Sequence, residues 1–494
     1  MLRQIAKTLL TGILVALSFP KWNLGPLAWF ALVPLFSAID RKNGKQVFGL
    51  GFLSGWAAFL GILYWIVPTF RAAGVSTGVG VLSVALLSAY VALFWSAFAW
   101  IFSRLTIHRV FFGASAWAAL EWARNYLFTG FPWGSLAYTQ WQAWPLIQIS
   151  EFTGVCGVSF LICAVNIFIY ENLVERKIRW VNASVLGLLF SLNFLALKME
   201  QGRETPGKSD LRVAVLQGNI DQYKKWSAES VEEILTSYES LALAPESKSA
   251  HLVVWPETAL PGWYPEDSHP EDKNLADWLE NLIRKTGTFH LVGAVTRSEG
   301  KAFNSAFLMS PNGEFIARYD KMHLVPFGEF VPMQSFLGRW IFVLNDLGGF
   351  DKGQGQRPLD FNGVRLGAEI CYESIFPEIP RAQVKNGAGF LVNLTNDGWY
   401  LDTAAPEQHF AMNVFRAVEN RRVLVRAANT GISGFIEPTG KIAEKTRLGE
   451  QKVIAGNIQT RRDLTLFSRW GDWFPLLCSV FTIWGILIKR KVMP

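Results

Sequence analysis

VRLGAEICYESIF, residues 364–376, opens as a run of strand-forming residues and stops on a thiol, Cys371, with Glu369 and Glu373 close on either side. The chain holds four cysteines, and Cys156, Cys163 and Cys478 lie in long apolar stretches. Cys371 alone stands in the polar half, so it has no disulfide partner within its own region. An unpaired cysteine is most often a small core residue. A nucleophile needs more: a base or cation that yields the thiolate, and shelter from water.

Working outward from Cys371, short strand-like runs alternate with amphipathic helical ones. LRVAVLQ (211–217) precedes SVEEILTSYESLA (230–242), LVVWPE (252–257) precedes NLADWLENLIRK (274–285), and HLVGAV (290–295) follows. SPNG (310–313) is a hairpin turn between NSAFLM and EFIARY, and EPTGK (437–441) predicts a second one. On the other side of Cys371 come FPEIPRAQVKNG (376–387), FLVNLTND (390–397), PEQHFAMNVFRAVENR (406–421) and VLVRAANT (423–430). Mostly apolar strands alternating with helices imply a layered α/β fold with covered sheets. Three strand ends carry polar groups where such a fold places chemistry: Glu257 after LVVWP, Lys321 after ARYD, and Cys371. A carboxylate can take the thiol proton, and a lysine favours the thiolate and stabilises an oxyanion. The N–H of Tyr372, just after the thiol, is a second donor.

The rest of the chain is of another kind. Half of its 494 residues are hydrophobic and 21 are tryptophan, an excess that fits membrane interfaces. Apolar windows fall at 5–19, 24–39, 47–67, 79–102, 110–128, 153–172, 180–198 and 470–488. Most approach the ~20 residues a helix needs to cross the hydrocarbon core. The first two are short and broken by Pro20, Pro26 and Pro34. LSFPKW is a poor cleavage site, so the first window reads as an uncleaved helix. With eight crossings, every basic cluster falls on one side: Arg3 and Lys7; Arg41, Lys42 and Lys45; Arg104, His108 and Arg109; Arg176, Lys177 and Arg179; Lys489, Arg490 and Lys491. By the positive-inside rule that side is cytoplasmic, with both termini, and the polar segment lies outside. These clusters account for the net charge of +7 better than a nucleic-acid surface does. The expected division is 1–207, seven membrane helices; 208–463, the catalytic domain, entered through EQGRETPGKS (200–209); and 464–494, a final helix and cytoplasmic tail.

The three strand ends, in context, resemble the nitrilase superfamily of carbon–nitrogen hydrolases, whose Glu–Lys–Cys triad sits on an α-β-β-α sandwich. Over nearly its full length the chain is similar to bacterial apolipoprotein N-acyltransferases, which insert such a domain before the last of eight membrane helices. The shared motifs are QGNIDQYKKW (217–226), WPETALP (255–261), FNSAF (303–307), KMHLVPFGEFVP (321–332), CYES (371–374), NLTNDGWY (393–400) and, in the membrane part, Glu121 and Arg124 through FTGFPWGSLAYTQ (128–140). The resemblance implies Glu257 as general base, Lys321 as oxyanion stabiliser and Cys371 as nucleophile. Glu329 would support the lysine and base, Tyr372 and Glu373 would shape the pocket behind the thiol, and Asn304 would stand behind these groups. Gln222 and Trp226 would lie near the substrate entrance. Arg339 stands about one position late for the family's functional arginine, and Asp221 replaces a common proline.

The implied activity moves an acyl chain from a phospholipid, through a Cys371 thioester, to the N-terminal α-amino group of a diacylglyceryl-cysteine on an apolipoprotein. It requires no cofactor, metal or nucleic acid, and is expected of a monomer in the bacterial inner membrane, with its catalytic domain on the periplasmic side. LPGWYP (260–265) and FLGRWIFVL (336–344) are candidate lipid-dipping loops; ordinary loop packing is the alternative. Glu121 and Arg124 lie three apart, as either a functional pair or an intrahelical one. Six histidines with no HExxH spacing argue against zinc, and GISG (431–434) lacks the spacing of a serine elbow. A membrane-tethered amidase with the same triad is the nearest rival. A transporter is the rival from another class, and the lack of matched broken helices opposes it.

Overall fold

The computed structural model describes residues 1–174, 176, 180–203, 210–222, 224–264, 270–330 and 349–488. The chain divides into two compact units: residues 1–203, 400–419 and 465–494 form one, and 204–399 with 420–464 form the other.

The first unit is helical. Its helices include Leu2–Ser18, Val33–Ile39, Gly44–Ile62, Ile66–Ala72, Thr77–Arg104, Arg109–Tyr126, Val155–Ile169, Trp180–Gln201 and Trp473–Leu487. Local signals set several starts. Asn43 accepts from the Gln46 N–H and Ser76 from the Val79 N–H, satisfying donors that a helix leaves open at its N-terminus. Around Pro26 and Pro34 the second apolar window splits into a 3-10 turn, Gly25–Trp29, and the short helix Val33–Ile39. Among the described residues, three helices are long and apolar enough to cross a membrane: Thr77–Arg104, Val155–Leu173 and Trp180–Gln201. Gly44–Ile62 and Ile66–Ala72, bent by 46°, make a fourth if they are one span. Only 22% of the apolar window in Trp180–Gln201 is buried. Trp180, Leu188, Leu192 and Leu195 on that helix, and Ile483, Trp484 and Leu487 on the last one, are exposed. Exposed apolar surface of that extent marks a face that meets membrane or another protein.

The second unit is built on two sheets. The first orders β13-β1-β2-β4-β5-β6, with β3 off this path beside β4; the second orders β12-β11-β10-β9-β8-β7. In chain order the strands are β1 Asp210–Gln217, β2 Leu252–Val254, β3 Trp263–Tyr264, β4 Phe289–Ser298, β5 Lys301–Met309, β6 Phe315–Asp320, β7 Leu359–Phe361, β8 Val364–Ile370, β9 Phe390–Thr395, β10 Leu424–Ala428, β11 Gly434–Ile436, β12 Ile442–Lys445 and β13 Lys452–Gln459. The central pairings β1–β2, β2–β4, β8–β9 and β9–β10 are parallel, and the outer ones are mainly antiparallel. Both expected hairpins form, β5–β6 through SPNG and β11–β12 through EPTGK.

The two-residue period of a strand explains the near-continuous apolar runs. Val213 and Val215 of β1 join Leu366, Val392 and Val425 in the core between the sheets. Ala214 and Leu216, pointing the other way, pack with Ile234, Tyr238, Leu279 and Ile283 from the helices Val231–Ala242 and Pro270–Thr286. On the second sheet's outer face, Gln383 of the helix Glu378–Lys385 donates to the Ala368 carbonyl at 3.0 Å. The helix Ala405–Asn420 lies between β9 and β10 in sequence, yet its residues through Glu419 group with the helical unit.

Candidate active site

β8 ends at Ile370, and Cys371 opens a 3-10 turn, Cys371–Ile375, with φ at +53°. A left-handed backbone is uncommon for a residue with a side chain and concentrates at functional sites. The thiol is 6% exposed and is hydrogen-bonded to the Thr395 side chain at the end of β9. Lys321 follows β6 directly, and its Nζ lies 2.8 Å from Glu329 Oε1 and 3.2 Å from Glu257 Oε1. Glu257 stands three residues beyond β2. Its other oxygen, Oε2, accepts from the Asn396 N–H at 2.8 Å. The lysine and both carboxylates are therefore fixed together, and both Glu257 and Lys321 act electrostatically on the thiol.

Burial is the largest influence on the thiol and pushes its pKa up; Glu257 adds to this and Lys321 opposes it. The net result is a protonated thiol at neutral pH. Burial pulls the Lys321 ammonium down, but Glu257 and Glu329 more than reverse this, so it stays charged. The resting arrangement is thus a neutral thiol beside a cation and a potential base. It suits nucleophilic attack in which the thiol proton leaves as the bond forms.

Residues 11–168 match the apolipoprotein N-acyltransferase N-terminal domain family, and residues 212–463 match the carbon–nitrogen hydrolase family. The apolipoprotein N-acyltransferase of Geobacter metallireducens is 40% identical, over 99% of this chain and 96% of its own length. That of Gloeobacter violaceus is 30% identical, over 97% and 93%. The chain belongs to the apolipoprotein N-acyltransferase family. Among solved structures, an amidase from Nesterenkonia sp. AN1 matches with a TM-score of 0.38 and 21% identity, over 50% of this chain and 92% of its own. The membership makes the chain an acyltransferase of the carbon–nitrogen hydrolase superfamily, and its α/β unit has that fold.

In this N-acyltransferase, Asn304 of β5 donates to Glu257 Oε1 at 2.7 Å and to Glu329 Oε1 at 3.1 Å, so one amide holds both carboxylates. Glu329 Oε2 accepts from the Val325 N–H at 2.8 Å, which closes the loop after Lys321. Glu373 is fully buried. It accepts from the Tyr319 hydroxyl and the N–H groups of Met322, His323 and Ile370, and so ties the lysine strand to the cysteine turn. Burial raises Glu373 to about 7, against these N–H groups and Lys321. Tyr372 is buried, with its ring 5.2 Å from Phe376 and 5.9 Å from His323. Gln222 is buried and bonded to the Asn396 side chain, and Trp226 is 51% exposed. Arg339 and FLGRWIFVL lie outside the described residues, as does Pro265 of LPGWYP.

Reading the sequence by itself passes over Asn396, Thr395 and Lys225, all within quoted motifs. Asp397 and Arg426 are also missed: they form a fully buried pair at 2.8 Å, and Thr395 Oγ1 donates to Asp397 at 3.2 Å. In the helical unit, Glu121 and Arg124 do not pair with each other among the described residues. Glu121 accepts from the Trp117 indole and the Leu136 N–H, both at 2.8 Å, while Arg124 donates to Ser135 at 3.0 Å. Both therefore hold the PWGSL segment.

Proposed function

We propose that Cys371, Glu257 and Lys321 carry out a two-step acyl transfer from a phospholipid to the α-amino group of a diacylglyceryl-cysteine on an apolipoprotein. Glu257 takes the thiol proton as sulfur attacks the ester carbonyl. Lys321 and the Tyr372 N–H, in the first turn of a 3-10 helix where N–H groups lack helical acceptors, stabilise the oxyanion. The intermediate collapses to a thioester, and the departing lysophospholipid alkoxide takes the proton from Glu257. The acceptor amine then attacks the thioester, passes a proton to Glu257, and forms the amide as Cys371 leaves and recovers that proton. Glu329 and Asn304 hold Glu257 and Lys321, Glu373 and Tyr372 form the wall behind the thiol, and Gln222, Trp226 and Arg339 belong to the substrate side.

The single observation carrying this reading is the placement of Lys321 between Glu257 and Glu329, within electrostatic reach of a thiol on a left-handed turn. Both substrates carry acyl chains, and each buried CH₂ contributes about 0.8 kcal/mol, so neither leaves the bilayer readily. The site must therefore stand at the bilayer. Eight spans would place residues 208–463 on the periplasmic side of the inner membrane and both termini in the cytoplasm, in a monomer. The exposed apolar sides of Trp180–Gln201 and Trp473–Leu487 support the membrane setting.

The test is intact-mass measurement after mixing the purified protein with phospholipid. One acyl adduct is expected on the wild-type protein and none on Cys371→Ala. The adduct should discharge when a diacylglyceryl-cysteine peptide is added and persist in water without it. An adduct on Cys371→Ala removes the thiol from the mechanism; discharge by water at the amine-dependent rate makes the protein a hydrolase.

A further inference from the structure

One buried guanidinium is bonded to both ends of the segment that closes β9. Arg426 stands on β10, in register with Asn393 on β9, and is fully buried. Its neighbours Val425 and Ala427 point into the core between the sheets, so Arg426 lies on the opposite face of its strand. Its Nη1 donates to Asn393 Oδ1, its Nη2 to Asp397 Oδ2 at 2.8 Å, and its Nε to the Ile432 carbonyl at 3.2 Å. Arginine carries its donors in a rigid planar fork, so Asn393 and Asp397 are held at a fixed separation.

That segment reaches the nucleophile at one end and the base near the other. Asn393 Nδ2 donates to the Cys371 carbonyl at 3.4 Å, and Ser374 Oγ donates to the same carbonyl at 3.1 Å. A trans peptide is planar, so its C=O and N–H point in opposite directions. The Tyr372 N–H shares a peptide with the Cys371 carbonyl, and holding the carbonyl therefore aims the N–H. At the far end, the Asn396 N–H donates to Glu257 Oε2 at 2.8 Å. Asn396 directly precedes Asp397, so the bond from Arg426 to Asp397 anchors the peptide next to the one that holds the base.

We infer that Arg426 is a positioning residue for acyl transfer. Through Asn393 and Asp397 it sets the Tyr372 N–H and the Glu257 carboxylate in place around Cys371. The inference rests on the roles proposed above for Glu257, Tyr372 and Cys371.

The experiment measures single-turnover acylation of Cys371 in the full-length protein, with phospholipid in mixed micelles and intact mass as readout. Removing Arg426 alone would strand the Asp397 carboxylate in the interior, so Arg426→Met is combined with Asp397→Leu. Replacing both members of a buried pair with apolar residues is often neutral for stability. This double variant is expected to acylate on the order of a hundredfold more slowly, the cost of misplacing a catalytic group by about 1 Å. The half-saturating phospholipid concentration should not change. Arg426→Lys keeps the charge without the fork and should also be slowed. A further readout isolates positioning from a general loss of stability. Glu257→Gln should slow the wild-type protein strongly and the double variant much less, because the base is already displaced there. A wild-type rate in the double variant or in Arg426→Lys overturns the proposal. So does an equal cost of Glu257→Gln in the wild-type protein and the double variant. Should the double variant fail to fold, the same measurements on Arg426→Lys decide. If Glu257→Gln leaves the wild-type rate untouched, or wild-type Cys371 takes no acyl group, the triad reading has failed instead.

Discussion

Between the lysine strand and the thiol turn stands a carboxylate that touches no reacting atom. Glu373 accepts from Tyr319, Met322, His323 and Ile370, so two segments from different sheets share one buried anchor. Truncating it would leave several buried donors unsatisfied, each at about 1–3 kcal/mol. Glu373→Ala is therefore expected to lose about 3 kcal/mol or more of stability and to acylate far more slowly than the wild-type protein. Thermal denaturation and the acyl-adduct assay would show both losses. A stable, fully active Glu373→Ala would mean that Lys321 and Cys371 are held by their own strands. The thiol shows the same logic: burial pushes the pKa of Cys371 up, so in the proposed mechanism Glu257 acts at the moment of attack.

At the scale of elements, the strand ends were legible because runs of strand-forming residues show in the sequence itself. β6 and β8 stop immediately before Lys321 and Cys371. What could not be read was the approach of segments distant in sequence. Asn396 binds Glu257 across 139 residues, and nothing local to either marks the contact. The helix Ala405–Asn420 misleads in the same way. Its amphipathic pattern suits an α/β layer, yet Gln408 bonds Trp65, Trp133 and the carbonyls of Pro20 and Ile62, and Arg416 bonds Tyr138, all in the helical unit. The close approach at β4 gives a further prediction. A Cβ on Gly293 would lie 2.1 Å from the Pro256 carbonyl oxygen and 2.8 Å from Glu257 Cα. Gly293→Ala must push the Glu257 segment away, and overpacking of this kind costs about 1–3 kcal/mol. Acylation should fall by more than tenfold, since a displacement of about 1 Å in a catalytic group can cost a hundredfold. Wild-type acylation in a folded Gly293→Ala would show that Glu257 is not held by this contact.

For the whole molecule, the central expectation is sidedness, because an enzyme acting on exported lipoproteins must face away from the ribosome. The basic clusters carry this expectation: by the positive-inside rule cytoplasmic loops retain Lys and Arg, and Lys42 belongs to such a cluster. Lys301, the first residue of β5, would stand on the other side. Both are exposed, and all four native cysteines are buried, so a single introduced thiol can be read against a quiet background. In spheroplasts, a membrane-impermeant maleimide is expected to label Lys301→Cys at once and Lys42→Cys only after the membrane is opened with detergent. The Cys371→Ala background removes any contribution from the reactive thiol. The opposite labelling order would put the thioester in the cytoplasm, beyond reach of an exported amine. Labelling of both before opening would mean an odd number of crossings fewer or more between the two positions.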